Sequence, residues 1–284
     1  MNNFIKLITI FLAVATVGLS NLHAQIVSIP DANFKAALLA NAGVNLNSDG
    51  DIQLSEAASF AGPLFVNNLA IADLTGIEAF TSLTHLECND NSLTSLNVSS
   101  NTALVNLYCY QNLLTSIDVS SNTNLEVLGC AYNQITSLNL TSNVGLFSLS
   151  ATNNQLSSIN VTGCSLLEVL QLSTNLLTGL NTSTNTNLHQ LTCDGNQISS
   201  LNLSLDTALT FLNCTSNNLT SLNLSNNTKL ATVYITSNNI SAIDLSNNPL
   251  IYSFYCNNNT LTSLDLTSNT ALADFRCDNN NLTS

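Results

Sequence analysis

Side chains that could act as nucleophiles or general bases are few in this sequence, and they are far apart. After residue 24 the only histidines are His85 and His189. In the repeat described below they fall five coils apart, about 24 Å at the usual strand spacing, so they cannot share a site. The sequence has no Ser-His-Asp arrangement in register, no glycine-rich phosphate loop and no Cys-His cluster. We therefore predict that this chain is not an enzyme.

Oxygen-bearing side chains between residues 45 and 56 have the spacing of calcium ligands. The segment fits the twelve-residue calcium loop of EF-hand and dockerin-like modules, in which Gly50 would allow the sharp bend and Ile52 would pack inward. The expected ligands are Asn45, Asn47, Asp49, the Asp51 carbonyl, Gln53 through water, and Glu56. Asn45 stands where Asp is usual, which should weaken affinity. The alternative is a polar turn between two helices that binds no metal, and in either case the segment's expected role is to stabilise the N-terminal unit.

A 21-residue repeat accounts for most of the chain. Ten copies of the pattern L-x-x-L-x-C-x-x-N-x-L-T-S-L-x-L-S-x-N-T-x follow one another without a gap, the tenth being incomplete, and they start at Leu83, Leu104, Leu125, Leu146, Leu167, Leu188, Leu209, Leu230, Ile251 and Leu272. A fixed period of this length predicts a solenoid, in which each coil packs only on its neighbours.

Within each coil, apolar residues at positions 4 and 6 alternate with polar ones, which predicts a short strand and a parallel sheet. Position 9 is Asn in every copy, and position 19 is Asn in seven of nine copies, with Cys164 and Asp206 as the exceptions. We interpret both as ladders of inward amides that join adjacent coils. The second half of the coil is rich in Thr and Ser and irregularly spaced, so the convex side should be extended or 3₁₀ rather than α-helical.

Seven of the eight cysteines share position 6, where Ala151, Leu172 and Ile235 stand in the other coils. Exchange with apolar residues identifies a buried slot. Stacked coils would hold these side chains parallel at about 4.8 Å, whereas a disulfide needs converging Cβ atoms near 3.8 Å. We predict buried free thiols.

Aromatic residues gather at both ends of the outward strand face. Residues predicted to contact a ligand are Tyr108, Tyr110 and Tyr132 in the first group, and Phe211, Tyr234 and Tyr255 in the second. Exposed tyrosines bury a large area at low entropy cost when they bind a protein or a sugar. The alternative is that these rings pack on one another and bind nothing.

Charge and the N-terminal segment bound the class of partner. Residues 1–24 have the features of a signal peptide, with Lys6, an apolar run and a cleavage site near Ala24. The chain from Gln25 would carry three Lys and Arg against 17 acidic residues, a net charge of −14, which disfavours nucleic acid and anionic lipid. No later stretch has the roughly 18 apolar residues of a membrane span. We expect a secreted or cell-surface protein.

The repeat resembles the leucine-rich repeat consensus, with Cys in place of its third leucine, and Asp73-Leu74-Thr75-Gly76-Ile77 resembles the internalin-type spacing. The 21-residue variant is similar to secreted leucine-rich repeat proteins of the Bacteroidetes, which commonly carry a C-terminal type IX secretion sorting domain. None is visible here. The predicted organisation is a signal peptide (1–24), a helical cap with the possible calcium loop (25–60), a degenerate first repeat (61–82) and 21-residue repeats (83–284).

The predicted fold is a leucine-rich repeat solenoid with a parallel β-sheet on its concave face and a small helical N-terminal cap. The predicted function is non-catalytic recognition of a protein partner through that face, as in adhesion. Two alternatives remain: binding of a polysaccharide by the same face, and a structural spacer that displays a further domain.

Overall fold

The computed structural model describes residues 25–283, so the predicted signal peptide lies outside the described residues. Two helices form the cap, α1 (Ala32–Ala40) and α2 (Leu54–Ser59), and one 3₁₀ turn (Ile77–Ala79) follows in the first coil. Within residues 25–283, no helix is long and apolar enough to cross a membrane.

Eleven short parallel strands build one sheet in sequence order, and each strand pairs with the next. They are β1 (Pro63–Phe65), β2 (His85–Glu87), β3 (Asn106–Tyr108), β4 (Val127–Gly129), β5 (Ser148–Ser150), β6 (Val169–Gln171), β7 (Gln190–Thr192), β8 (Phe211–Asn213), β9 (Thr232–Tyr234), β10 (Ser253–Tyr255) and β11 (Asp274–Arg276). The opposite side of each coil is turns and extended chain, with two isolated parallel bridges. The predicted solenoid is confirmed.

Asp31 both caps α1 and fixes the cap to the first coil. One of its carboxylate oxygens accepts hydrogen bonds from the backbone N–H groups of Asn33 and Phe34. The other accepts from Ala72 and Asp73 at 2.8 and 3.2 Å. Phe34 and Leu38 are buried against the solenoid, so the cap covers the apolar end of the first coil, as solenoids require.

The position-9 asparagines form the first predicted ladder. Asn112 shows the pattern: Nδ2 donates to the carbonyls of Cys88 and Cys109 in two adjacent coils, and Oδ1 accepts from the backbone N–H of Leu93. The later residues at this position repeat the arrangement, whereas Asn91 Oδ1 accepts from two backbone N–H groups, those of Leu69 and Ile71. Each amide therefore satisfies backbone groups that the strand leaves unpaired when the chain turns away from the sheet.

The position-19 asparagines form the second ladder, and its two exceptions behave differently. Asn122 donates to the carbonyls of Val98 and Asn101 at 3.0 and 2.9 Å. The Cys164 thiol only approaches the Leu140 carbonyl, at 3.8 Å. Asp206 is fully buried and its Oδ2 accepts from the hydroxyl of Thr182, which is also fully buried. Thr182 itself replaces the Val or Leu of the other coils, so the two departures from the repeat contact each other.

The cysteine prediction is confirmed. The eight cysteines are unpaired thiols, and all but Cys277, which is half-buried in the last coil, are buried. Burial raises the pKa of Cys88 and Cys130 to about 12. These thiols therefore act as small apolar core residues.

Candidate functional site

The outward side of the sheet is a grid of side chains that the strand register arranges in columns. In each three-residue strand the middle side chain points inward, and the first and third lie on the outward side. In-register pairing puts Glu87 beside Tyr108 and Tyr108 beside Gly129, about 4.8 Å apart. The same column ends with Tyr234, Tyr255 and Arg276.

Three predicted tyrosines meet in one open cavity near the start of this grid. Tyr108, Tyr110 and Tyr132 line about 290 Å³ of space over Gly129 and Ala131. We call these five residues the tyrosine cup. The rings give the cup apolar walls, and the two small residues, Gly129 and Ala131, form a buried floor beneath them.

Gly129 is required for the position of one wall. A Cβ atom on Gly129 would lie 2.9 Å from Cδ1 of Tyr108, which is closer than real Cβ contacts allow. Only glycine lets the Tyr108 ring lie over this strand. Gly129 and Ala131 were not predicted to be site residues. Their small size beside tyrosines could have indicated this role.

Tyr132 occupies a backbone position that disfavours it. Position 8 is left-handed in all ten coils, with φ of 54° at Tyr132 and 53° at Thr174. That conformation costs an ordinary residue about 1–2 kcal/mol, and Gly195 is the one glycine at this position. The turn directs the following asparagine inward while it holds the Tyr132 side chain, 55% exposed, at the edge of the cup.

An aromatic and acidic border lies on the N-terminal side of the cup. The His85 ring is 5.5 Å from the Tyr108 ring and 5.6 Å from the Phe65 ring, measured between centroids. His85 Nε2 lies 3.0 Å from Glu87 Oε1, and the backbone N–H of Asp90 donates to the Tyr110 carbonyl at 3.1 Å. Burial raises the pKa of Tyr110, and the negative charges of Asp90 and Glu87 raise it further.

The second predicted aromatic group packs on itself. The rings of Tyr234 and Tyr255 stack at 4.5 Å, and Phe211 meets Tyr234 edge-on at 5.8 Å. Arg276 lies over Tyr255 with its guanidinium carbon 4.5 Å from the ring centroid. The Tyr255 hydroxyl donates to Asp274. Because Tyr255 lies between Tyr234 and Arg276 in the column, both of its faces are covered, which is the arrangement of the non-binding alternative.

The residues of the predicted calcium loop are brought together, but their oxygens bond mainly to the loop itself. Glu56 accepts from the backbone of Leu46, Asn47 and Gln53. Asp49 accepts from the Asn47 and Gln53 amides. Asp51 pairs with Lys35 at 2.7 Å, and Asn45 donates to the Leu39 and Asp49 carbonyls. Among residues 25–283, no three His, Cys, Asp or Glu side chains are grouped as a metal site. Calcium binding stays a prediction.

The histidines lie in separate places, as expected. His85 contacts Glu87, and His189 Nδ1 lies 3.8 Å from Glu168 Oε2. The buried thiols have pKa values raised by desolvation, which disfavours the nucleophilic thiolate.

Several solved structures resemble this one. The functional domain of InlJ from Listeria monocytogenes, which includes a cysteine ladder, aligns with a TM-score of 0.74 and 30% identity over 90% of this chain and 62% of that chain. The internalin InlF from Listeria monocytogenes str. 4b F2365 aligns with a TM-score of 0.62 and 24% identity over 93% and 95%. A chain of the octameric complex of Latrophilin 3, Unc5D and the leucine-rich repeat protein FLRT2 aligns with a TM-score of 0.59 and 21% identity over 70% and 69%.

This chain thus spans about three fifths of the InlJ chain, 62% of its length. No protein-family model matches the sequence, and no curated protein matches it. The structural neighbours support the predicted likeness to internalins, whereas an origin in the Bacteroidetes stays a prediction. The protein is a leucine-rich repeat solenoid, a fold that commonly mediates protein–protein interaction, and its structural neighbours include internalins.

Proposed function

We propose that this chain is a non-catalytic recognition protein that acts outside the cell or on its surface. It binds a protein partner through the outward face of the sheet, with Tyr108, Tyr110 and Tyr132 as anchors. The observation that carries the proposal is the tyrosine cup, an open apolar cavity of about 290 Å³ on the outward face of the sheet. Binding hot spots are enriched in tyrosine and lie in pockets of this kind.

The rest of the outward face supports binding without adding anchors. Beyond the cup, the third-position column reads Ser150, Gln171, Thr192 and Asn213, which can hydrogen-bond at the rim of a contact. The second aromatic group contributes less, because its rings are already covered by one another and by Arg276.

The test is retention of the purified chain on parallel arrays of surface proteins and polysaccharides. Tyr108→Ala or Tyr110→Ala should weaken retention on one protein by about tenfold or more. Tyr252→Ala is the matched control, since Tyr252 is 60% exposed but lies outside the strands.

The other outcomes separate the alternatives. Retention on a polysaccharide that the same variants abolish would replace a protein partner with a glycan. If neither tyrosine variant alters retention, the cup is not the binding site. If the chain is retained on neither array, the spacer alternative is favoured.

Running the arrays with calcium and with chelator also tests the cap loop. If calcium binds there, we expect the melting temperature to rise with the metal and Asp49→Asn to remove the rise.

A further inference from the structure

The two aromatic groups place similar residues around a tyrosine, and they differ in the residue that follows this tyrosine in the column. In the second, Tyr255 has an arginine over one face and hydrogen-bonds to a carboxylate, Asp274. In the first, Tyr108 has the carboxylate of Glu87 beside it in register. Arg276 follows Tyr255 on the next strand of the column. The corresponding residue after Tyr108 is Gly129, which has no side chain.

The border of the cup is negatively charged. Glu87 neighbours Tyr108 across the strand pair, and Asp90 is joined to Tyr110 by a backbone hydrogen bond of 3.1 Å. Asn89 is 3% exposed, and it donates to Asp90 while its Oδ1 has no partner among the described residues. The raised pKa of Tyr110 agrees with this negative surrounding.

No lysine or arginine of residues 25–283 lies near this border, where the one basic ring is His85, with its Nε2 3.0 Å from Glu87 Oε1. Residues 25–283 contain three Lys and Arg side chains. Lys35 pairs with Asp51 in the cap, and Arg276 lies over Tyr255 at the other end of the sheet. Lys229 precedes Leu230, outside the strands. The cup therefore combines aromatic faces with carboxylates and holds no lysine or arginine of its own.

We propose that the tyrosine cup receives a basic side chain, an arginine or a lysine, of the partner protein. The cation contacts the faces of the tyrosine rings, whose negative quadrupole attracts it, and Glu87 and Asp90 supply the opposite charge. The partner thus presents a basic segment to an acidic protein. This inference rests on the proposed function, because it names the chemistry of the group that enters the same cup.

Three short peptides of one length test the chemistry, with arginine, citrulline or norleucine at the centre. Citrulline keeps the shape of arginine without the charge, and norleucine is apolar. Binding is followed through the ring resonances of isotope-labelled tyrosines. We expect the arginine peptide to shift Tyr108, Tyr110 and Tyr132, and the citrulline and norleucine peptides to bind at least about threefold more weakly.

The charge variant is the double substitution Glu87→Gln and Asp90→Asn. Asparagine tolerates the left-handed backbone at position 90, so the fold should be retained, and a melting curve checks this. We expect about threefold to tenfold weaker binding of the arginine peptide. Asp278→Asn removes an exposed carboxylate from the last coil and should leave binding unchanged.

Equal binding of the three peptides, or no effect of the double substitution, would overturn this inference. The two proposals can fail separately. A partner whose retention needs the tyrosines but ignores Glu87 and Asp90 would leave the proposed function standing and refute the basic side chain. Charge-dependent binding of the arginine peptide, with no protein partner that needs the tyrosines, would support the basic-group site and refute the proposed function.

Discussion

Asp206→Asn should stabilise this protein and remove a part of its pH dependence. Asparagines at this ladder position donate Nδ2–H bonds to two backbone carbonyls of the preceding coil, as Asn185 does to Val161 and Cys164. By the same register the Asp206 carboxyl faces backbone carbonyls, and an ionised carboxylate has no hydrogen to donate. Its Oδ1 has no partner among the described residues.

The magnitude follows from the buried carboxyl. Desolvation raises the pKa of Asp206 from 3.8 to about 6, against a lowering by the Thr182 hydroxyl. Between these pH values the folded chain retains a proton that the unfolded chain has released. The free energy of unfolding therefore falls as the pH rises through this range, and below pH 3.8 the penalty is absent. At pH 7.5 the ionised group costs about 3 kcal/mol, which the asparagine removes.

The assay is thermal unfolding of the native chain and Asp206→Asn at several pH values from 3.5 to 8. At pH 7.5 the variant should melt about 5 °C or more above the native chain, and the gap should close toward pH 3.5. Asp278→Asn, at an exposed carboxylate, controls for net charge. A constant gap at every pH, or no gap at pH 7.5, would refute the reasoning.

Other substitutions test the remaining parts of the structure. Asn154→Ala and Asn175→Ala should each lower the free energy of unfolding by about 1–3 kcal/mol, because each leaves a buried backbone N–H without its acceptor. Unchanged melting temperatures would show that the first ladder does not stabilise the fold. Thr174→Gly should raise stability by about 1 kcal/mol, since glycine relieves the left-handed strain, and a lower melting temperature would contradict this. Gly129→Val should displace the Tyr108 ring and abolish binding in the cup. Gly179→Val is the control and should leave binding intact, because nothing lies within 4 Å of its Cβ position. Equal binding by both variants would contradict the packing of Tyr108 on Gly129.

The period of the sequence was sufficient to predict the solenoid, the two amide ladders and the buried thiols, because inward positions in a stack of equal coils must repeat. The left-handed backbone at position 8 was not predictable from composition, since Tyr132 and Thr174 are among the residues that hold it. Their conformation is imposed by the strand before them and the inward asparagine after them.

The site was predictable only in part for a similar reason. The sequence placed the six aromatic residues on one face, but the direction of each ring depends on its neighbours. Gly129 lets Tyr108 lie over the sheet, whereas Arg276 and Tyr234 enclose Tyr255. In the cap loop, Asp51 pairs with Lys35. Glu56 accepts hydrogen bonds from the backbone N–H groups of Leu46, Asn47 and Gln53. The spacing of the oxygen-bearing residues does not reveal these contacts.

The ladder bonds have a consequence for how such a chain can change its length. Within the 21-residue repeats the side-chain bonds of both ladders join residues 2, 3, 19, 21 or 24 positions apart, as Asn154 and Asn227 illustrate. Asn91, which faces the 22-residue first coil, spans up to 25 positions. A bond therefore reaches no farther than the adjacent coil. A whole coil that carries both ladder asparagines can then be duplicated or deleted without leaving a ladder bond unmade. The distance between the tyrosine cup and the stacked rings around Tyr255 is thus a whole number of coils. Insertion or deletion of coils changes this distance in steps of about 4.8 Å and leaves the side chains at either end unchanged.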